Sequence, residues 1–206
     1  MRILAIDCAT EACSVALFAG GLPIGGELRM LGRGHAEQLV PMIAALPERG
    51  RAARICVSLG PGSFTGVRIG LAAARALGIA WKAEVRGYPT LALIAAMARA
   101  DRGAQPVTAC MTGGHGEWFV QDYSAAGFPE GPLESMRPDA ATARGGHDLV
   151  AGTQAEALVA ARASGTALPL WPDARRLSLL PSELLTAALT PLYGRAPDAR
   201  LPGTAA

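Results

Sequence analysis

The residues best placed to do chemistry in this chain sit in one turn, Gly60-Pro61-Gly62-Ser63-Phe64-Thr65-Gly66, between an apolar run and a segment of helical pattern. The amide hydrogens of a glycine-rich turn that opens a helix can hold phosphate, helped by the helix dipole. The spacing, however, is neither that of the dinucleotide fingerprint GxGxxG nor that of the P-loop, and the turn has no lysine. Beyond the turn, Gly66, Gly70, Ala74 and Gly78 recur every four residues on one stripe, and Arg68, Arg75 and Lys82 every seven on another. A glycine inside a helix costs about 1 kcal/mol relative to alanine, so close backbone packing must offset the stripe. Three readings stand: an anion site, a surface for a partner helix, and an internal strand-to-helix corner. Thr65 is read as the N-cap, with the helix starting near Gly66.

No other group is spaced for metal or nucleophile chemistry. His35, His115 and His147 are scattered, and Leu39, not histidine, follows His35 by four. A lone histidine at a helix start reads as a cap or an interface group. Cys8, Cys13, Cys56 and Cys110 fall mostly in strand-like runs without CxxC spacing, which suits reduced core cysteines and argues against a zinc site or a disulfide framework. Asp7 and Thr10 read as turn residues whose side chains bond nearby backbone.

These residues must be positioned by elements that the pattern makes legible. Arg2 to Asp7 and Cys13 to Phe18 read as strands joined by a hairpin, with a third at Leu22 to Met30. Ala36 to Leu46 is amphipathic, with Leu39, Val40, Ile43 and Leu46 on its apolar side, and Pro41 should kink it or start its regular part. A strand at Arg54 to Leu59, the glycine-striped helix, a strand at Glu84 to Gly87 and a helix from Thr90 to Ala100 complete a βββαβαβα order, hence a mixed sheet covered by helices. Asp101 to Pro106 reads as a linker. Val107 to Met111 and Glu117 to Tyr123 read as a new hairpin, the start of a second, degenerate copy of the first unit. A Pro- and Gly-rich stretch runs to Gly146, then a strand near Leu149, a helix from Gln154 to Ala163, and a helical segment from Asp173 to Leu189 interrupted by Pro181. The expected division is an N-terminal lobe over 1–100, a degenerate C-terminal lobe over 101–195 and a disordered tail over 196–206.

Composition narrows the function classes. The 206 residues are half hydrophobic, enough to bury a core, and the net charge of +2 is too mild to argue for a nucleic-acid or membrane surface. Met1 to Leu17 holds Asp7 and Glu11, so it does not read as a signal peptide, and no apolar run is long enough to span a bilayer. The expectation is a cytoplasmic protein with no membrane partner.

Leu4 to Leu17, His35 to Ile43 and Gly60 to Leu71, with a short C-terminal match at Pro191-Leu192-Tyr193-Gly194-Arg195, make the chain resemble the TsaB (YeaZ) family. The resemblance covers residues 1–100 well and the remainder loosely. It implies an α/β, actin-like ATPase fold (sugar kinase, Hsp70 and actin; ribonuclease H-like) of two lobes with mixed sheets flanked by helices. It also implies a non-catalytic scaffold that forms a heterodimer with TsaD, works with TsaE, and pairs with a second copy of itself through the same helices when TsaD is absent. The complex makes N6-threonylcarbamoyladenosine beside the anticodon of tRNAs reading codons that begin with A, with tRNA only as its substrate. By the resemblance, the association surface comprises His35, Gln38, Leu39 and Met42 with Phe64, Val67, Arg68, Gly70, Leu71 and Arg75. Asp7 and Thr10 correspond to a phosphate hairpin of such ATPases, here degenerate, because the second hairpin lacks an aspartate before its glycines and no DxGxG follows. Thr90 and Ile94 stand where the catalytic paralogue carries two metal-binding histidines, so the resemblance implies no catalytic residue, no metal and no cofactor. The rival readings are an active phosphotransferase of the same fold and a metallohydrolase of the glycoprotease type.

Overall fold

The computed structural model describes residues 1–194. The expected disordered tail over 196–206, and Arg195 of the C-terminal match, lie outside the described residues. Arg2–Asp7 (β1), Ala12–Ala19 (β2) and Leu22–Met30 (β3) form an antiparallel meander. Arg54–Ser58 (β4) and Glu84–Tyr88 (β5) add in parallel on the other side of β1, giving the order β3-β2-β1-β4-β5. Parallel neighbours need crossovers, which His35–Ala45 (α1) and Phe64–Trp81 (α2) supply. Thr90–Arg102 (α3) then leads to the second sheet.

That sheet repeats the plan of the first. Val107–Thr112 (β6), Trp118–Tyr123 (β7) and Glu134–Met136 (β8) are antiparallel. Leu149–Ala151 (β9) and Thr166–Leu168 (β10) run parallel beyond β6, after Pro138–Arg144 (α4) and Ala155–Arg162 (α5) respectively. Read from β8, the order β8-β7-β6-β9-β10 matches that of the first sheet. The molecule is therefore two mixed sheets flanked by helices.

Three apolar clusters set the layers. Leu39, Met42 and Ile43 of α1 and Val67, Leu71 and Ala74 of α2 pack on one face of the first sheet. Leu91 to Ala98 of α3 lie in a shared core with residues of both sheets, and Ala141 of α4 with Ala155 and Leu158 of α5 cover the far face of the second sheet.

The sequence misplaces several elements. Val40, expected on the apolar side of α1, is exposed, because 39, 42, 43 and 46 already form the inward stripe. Pro41 neither starts nor ends α1, whose bounds are His35 and Ala45. The helix α3 runs two residues past Ala100, shortening the linker. The Pro- and Gly-rich stretch contains β8 and α4. Asp173 to Leu189 is not a helix but the short 3-10 turns Ala174–Leu179 and Ser182–Leu184. Pro181 lacks an amide hydrogen to carry a helix through, and Leu177 and Leu180 are drawn into the central core.

Candidate functional site

The corner between β4 and α2 is held internally. Ser63, not Thr65, caps the helix: its hydroxyl accepts from the Gly66 amide at 3.1 Å, while Thr65 is exposed. Ser63 N donates to Ala9 O at 2.7 Å and Gly60 N to Ser58 Oγ at 3.2 Å, so with Gly66 three amides of the corner are engaged within the chain. The glycine stripe faces the chain's own sheet, which corrects the reading of it as a surface for a partner helix. A Cβ at Gly66 would run into the Cys8 carbonyl, one at Gly78 would lie 2.6 Å from Val85 Cγ2, and Gly70 looks onto Val57, Cys8 and Ile6.

This geometry sorts the ten residues of the expected association surface. His35, Leu39, Met42, Val67, Gly70 and Leu71 are buried in the chain's own core, so their side chains cannot meet a partner as the chain stands. His35 Nε2 lies 2.9 Å from Thr10 O and 3.4 Å from Ala12 O, which requires the proton on Nε2 and pins the start of α1 to the β1–β2 hairpin. Gln38 is half-buried, and Phe64, Arg68 and Arg75 are exposed. Periodicity cannot divide inward from outward positions on a helix this rich in apolar residues, because both stripes are apolar. The outward stripe is Val40 and Ala44 on α1 with Ala72, Ala76 and Ile79 on α2, none of them included in the expected association surface; Ile79 is 83% exposed and Val40 57%. A signal was present on α2, since Ala72 falls four residues after Arg68 and Ile79 four after Arg75.

The C-terminal segment runs beside α2. Thr186 exchanges backbone hydrogen bonds with Gly87, Leu192 N donates to Leu59 O at 2.7 Å, and Arg75 donates to Leu189 O at 2.8 Å. Arg68 donates to the Tyr193 hydroxyl at 2.7 Å, with its guanidinium 3.2 Å from the centre of the Phe64 ring. Next to this contact, a cleft of about 590 Å³ opens between the tips of the β1–β2 and β6–β7 hairpins, lined by Thr10, Glu11, Phe64, Arg68, His115 and Tyr193 among others.

Asp7 does not reach that cleft. It is fully buried, accepts from Ala9 N at 2.9 Å and from the Tyr88 hydroxyl at 3.0 Å, and burial pushes its carboxyl up to about 6 against the pull of those bonds. Thr10 lines the cleft, but its hydroxyl accepts from Ala12 N at 3.1 Å. Both side chains thus hold their own turn. At the paralogue's metal positions, Thr90 is buried with its hydroxyl 2.6 Å from Ser58 Oγ, and Ile94 is in the central core. Among the described residues no three His, Cys, Asp or Glu side chains form a metal-holding group, and no helix is long and apolar enough to cross a membrane.

Comparison with known proteins places this arrangement. The model of TsaD, tRNA N6-adenosine threonylcarbamoyltransferase, matches residues 29–128. The tRNA threonylcarbamoyladenosine biosynthesis protein TsaB of Escherichia coli is 38% identical over 128 residues, 60% of this chain and 55% of that protein. The TsaB of Bacillus subtilis is 28% identical over 144 residues, 68% of this chain and 61% of that protein. The matched stretch thus spans little more than half the length of these curated relatives. The solved structure of YeaZ from Pseudomonas aeruginosa superposes with a TM-score of 0.75 at 29% identity, covering 93% of this chain and 99% of that one. The sequence likeness covers part of the chain and the fold likeness extends over nearly all of it, so the chain is similar to the TsaB (YeaZ) proteins.

Proposed function

We propose that this chain is a non-catalytic scaffold subunit that docks onto a TsaD-type threonylcarbamoyltransferase and, with TsaE, supports formation of N6-threonylcarbamoyladenosine beside the anticodon of tRNAs reading A-starting codons. The observation that carries the reading is the outward face of α1 and α2. Val40, Ala44, Phe64, Ala72, Ala76 and Ile79 present an apolar surface with Arg68 and Arg75 at its edge. Small side chains admit a close helix, the apolar ones supply desolvation, and the arginines give directional pairing with carboxylates. Of the association residues implied by the family, Gln38, Phe64, Arg68 and Arg75 belong to this face; the buried six support it from below. A second copy of the chain occupies the same face when TsaD is absent, tRNA enters as substrate of the complex, and the assembly works in the cytoplasm.

The rival phosphotransferase needs a carboxylate at the phosphate hairpin, and Asp7 is turned into the core. The metallohydrolase needs imidazoles where Thr90 and Ile94 stand. Co-purification with TsaD, followed by threonylcarbamoylation of tRNA with and without this chain, tests the reading. Modification should depend on the chain, and the chain alone should turn over neither ATP nor peptide. Full modification without it would overturn the scaffold role.

A further inference from the structure

Cys8 and Cys13 face each other at the base of the β1–β2 hairpin. The register that pairs Asp7 with Ser14 puts them next in the ladder, and their sulfurs are 3.6 Å apart. Both are free thiols, as are Cys56 and Cys110, which have no such neighbour. The arrangement is more than a close contact of core side chains, because the hairpin supports the elements around it. The Ala9 carbonyl holds Ser63 at the start of α2, the Thr10 carbonyl holds His35 at the start of α1, and the Cys8 Cβ packs under Gly70. The cleft reaches Ala9 and Thr10, one and two residues from Cys8.

We propose that Cys8 and Cys13 are a redox pair that a peroxide converts to an intrachain disulfide, locking the hairpin on which both α1 and α2 rest. The bond requires the sulfurs to close by about 1.5 Å, a shift that side-chain rotation and a small hairpin adjustment supply. The hydrogen bond between the two sulfurs lowers the Cys13 thiol and raises that of Cys8, with burial adding to the latter, so Cys13 is the first to ionise. The Cys13 thiolate attacks one peroxide oxygen: an S–O bond forms, the O–O bond breaks, and the departing hydroxide takes a proton to become water. The Cys8 sulfur then gives up its proton and attacks the Cys13 sulfur, forming S–S and expelling the sulfenic oxygen as a second water. Two thiols and one peroxide become one disulfide and two waters; a dithiol reductant reverses the change.

One peptide tests the pair, because cleavage after arginine yields Ile3–Arg29 with both cysteines, while Cys56 and Cys110 fall in separate peptides. The folded full chain is treated with hydrogen peroxide, quenched, unfolded, alkylated without reductant and digested. The expected result is Ile3–Arg29 without alkyl groups and about 2 Da lighter, from the loss of two hydrogens, with Cys56 and Cys110 still alkylated. Dithiothreitol should restore double alkylation, and Cys8→Ser and Cys13→Ser should each abolish the mass loss. Amide exchange over Ala9 to Ala12 should slow by about tenfold in the oxidised chain. Double alkylation after peroxide, sulfinic or sulfonic acid in place of the bond, a bond forming only in unfolded chain, or unchanged exchange would overturn the proposal.

Discussion

Asp7 and the glycines of α2 show how far a residue's role is set by what covers it. An aspartate at a hairpin is legible as a turn residue, but its burial, and so its energetics, depends on Tyr88, which is 81 positions away in sequence. Because burial raises the Asp7 carboxyl from 3.8 to about 6, the folded chain binds a proton there that the unfolded chain has already released. The resulting stabilisation is complete below pH about 4 and is lost as pH rises through about 6. Asp7→Asn removes the charge while its amide oxygen accepts from Ala9 N and its NH2 group donates to the Tyr88 oxygen, whose own hydrogen turns to Ile6 O. Urea denaturation should therefore find the variant more stable than the parent at pH 7, by on the order of 2–3 kcal/mol, with the gap closing towards pH 4. A gap that does not change with pH would remove the buried charge from the account. The glycines divide in the same way. A Cβ at Gly70 meets only ordinary contacts at 3.5 Å and beyond, whereas one at Gly66 strikes the Cys8 carbonyl. Gly70→Ala should leave the melting temperature unchanged or raise stability by up to about 1 kcal/mol. Gly66→Ala should lower it by about 1–3 kcal/mol. Equal effects in a thermal melt would mean the stripe does not approach the sheet as described.

At the scale of elements, α2 carries two apolar stripes, one in the core and one proposed for docking, and mutation should pull them apart. Leu71 is 2% exposed in the core under the helix, so Leu71→Ala should cost about 2–5 kcal/mol in melting experiments. Ile79→Glu, on the outward stripe, should leave stability within about 0.5 kcal/mol. Its effect should fall on association with TsaD, weakened at least about tenfold, which is about 1.4 kcal/mol. Calorimetric titration with TsaD reads this directly, and unchanged affinity for Ile79→Glu takes the outward face out of the interface. The first lobe was legible because its longest elements fix the order of the shorter ones: a nine-residue edge strand at β3, an eighteen-residue helix at α2. The three-residue strands β8, β9 and β10 are too short to show a period, and only Leu149 gave a sign of one of them. The stretch after Asp173 misled for the opposite reason. Its leucines are spaced like one face of a helix, yet they serve as separate pegs into the central core while the backbone turns in 3-10 steps.

At the scale of the molecule, the fold is one plan used twice, with α3 between the copies. The sequence shows the second copy through its opening hairpin, the strand near Leu149 and the helix from Gln154 to Ala163, while α4, seven residues inside a Pro- and Gly-rich stretch, carries too little pattern to be read. What ties the copies together is not local at all. Thr90 to Ala98 of α3 are buried without a break, in a core that also draws Ala5, Cys56 and Tyr88 from the first lobe and Val107, Met111 and Tyr123 from the second. The chain then returns from the second sheet to the first: Ser14 Oγ donates to Pro172 O and accepts from Ala174 N, Trp171 Nε1 donates to Glu11, and Thr186 pairs with Gly87. A helix buried on every side leaves neither sheet with a complete core of its own. The two halves should therefore unfold together, giving one calorimetric transition whose van't Hoff and calorimetric enthalpies agree. Leu93→Ala, in the middle of α3, should lower that single transition by the equivalent of about 2–5 kcal/mol without splitting it. A fragment ending at Arg102 should lack cooperative melting, because it exposes the α3 surface that the second sheet covers. Two resolved transitions in the intact chain, or a fragment that melts cooperatively, would mean that each lobe is stable alone and that the shared core only docks them.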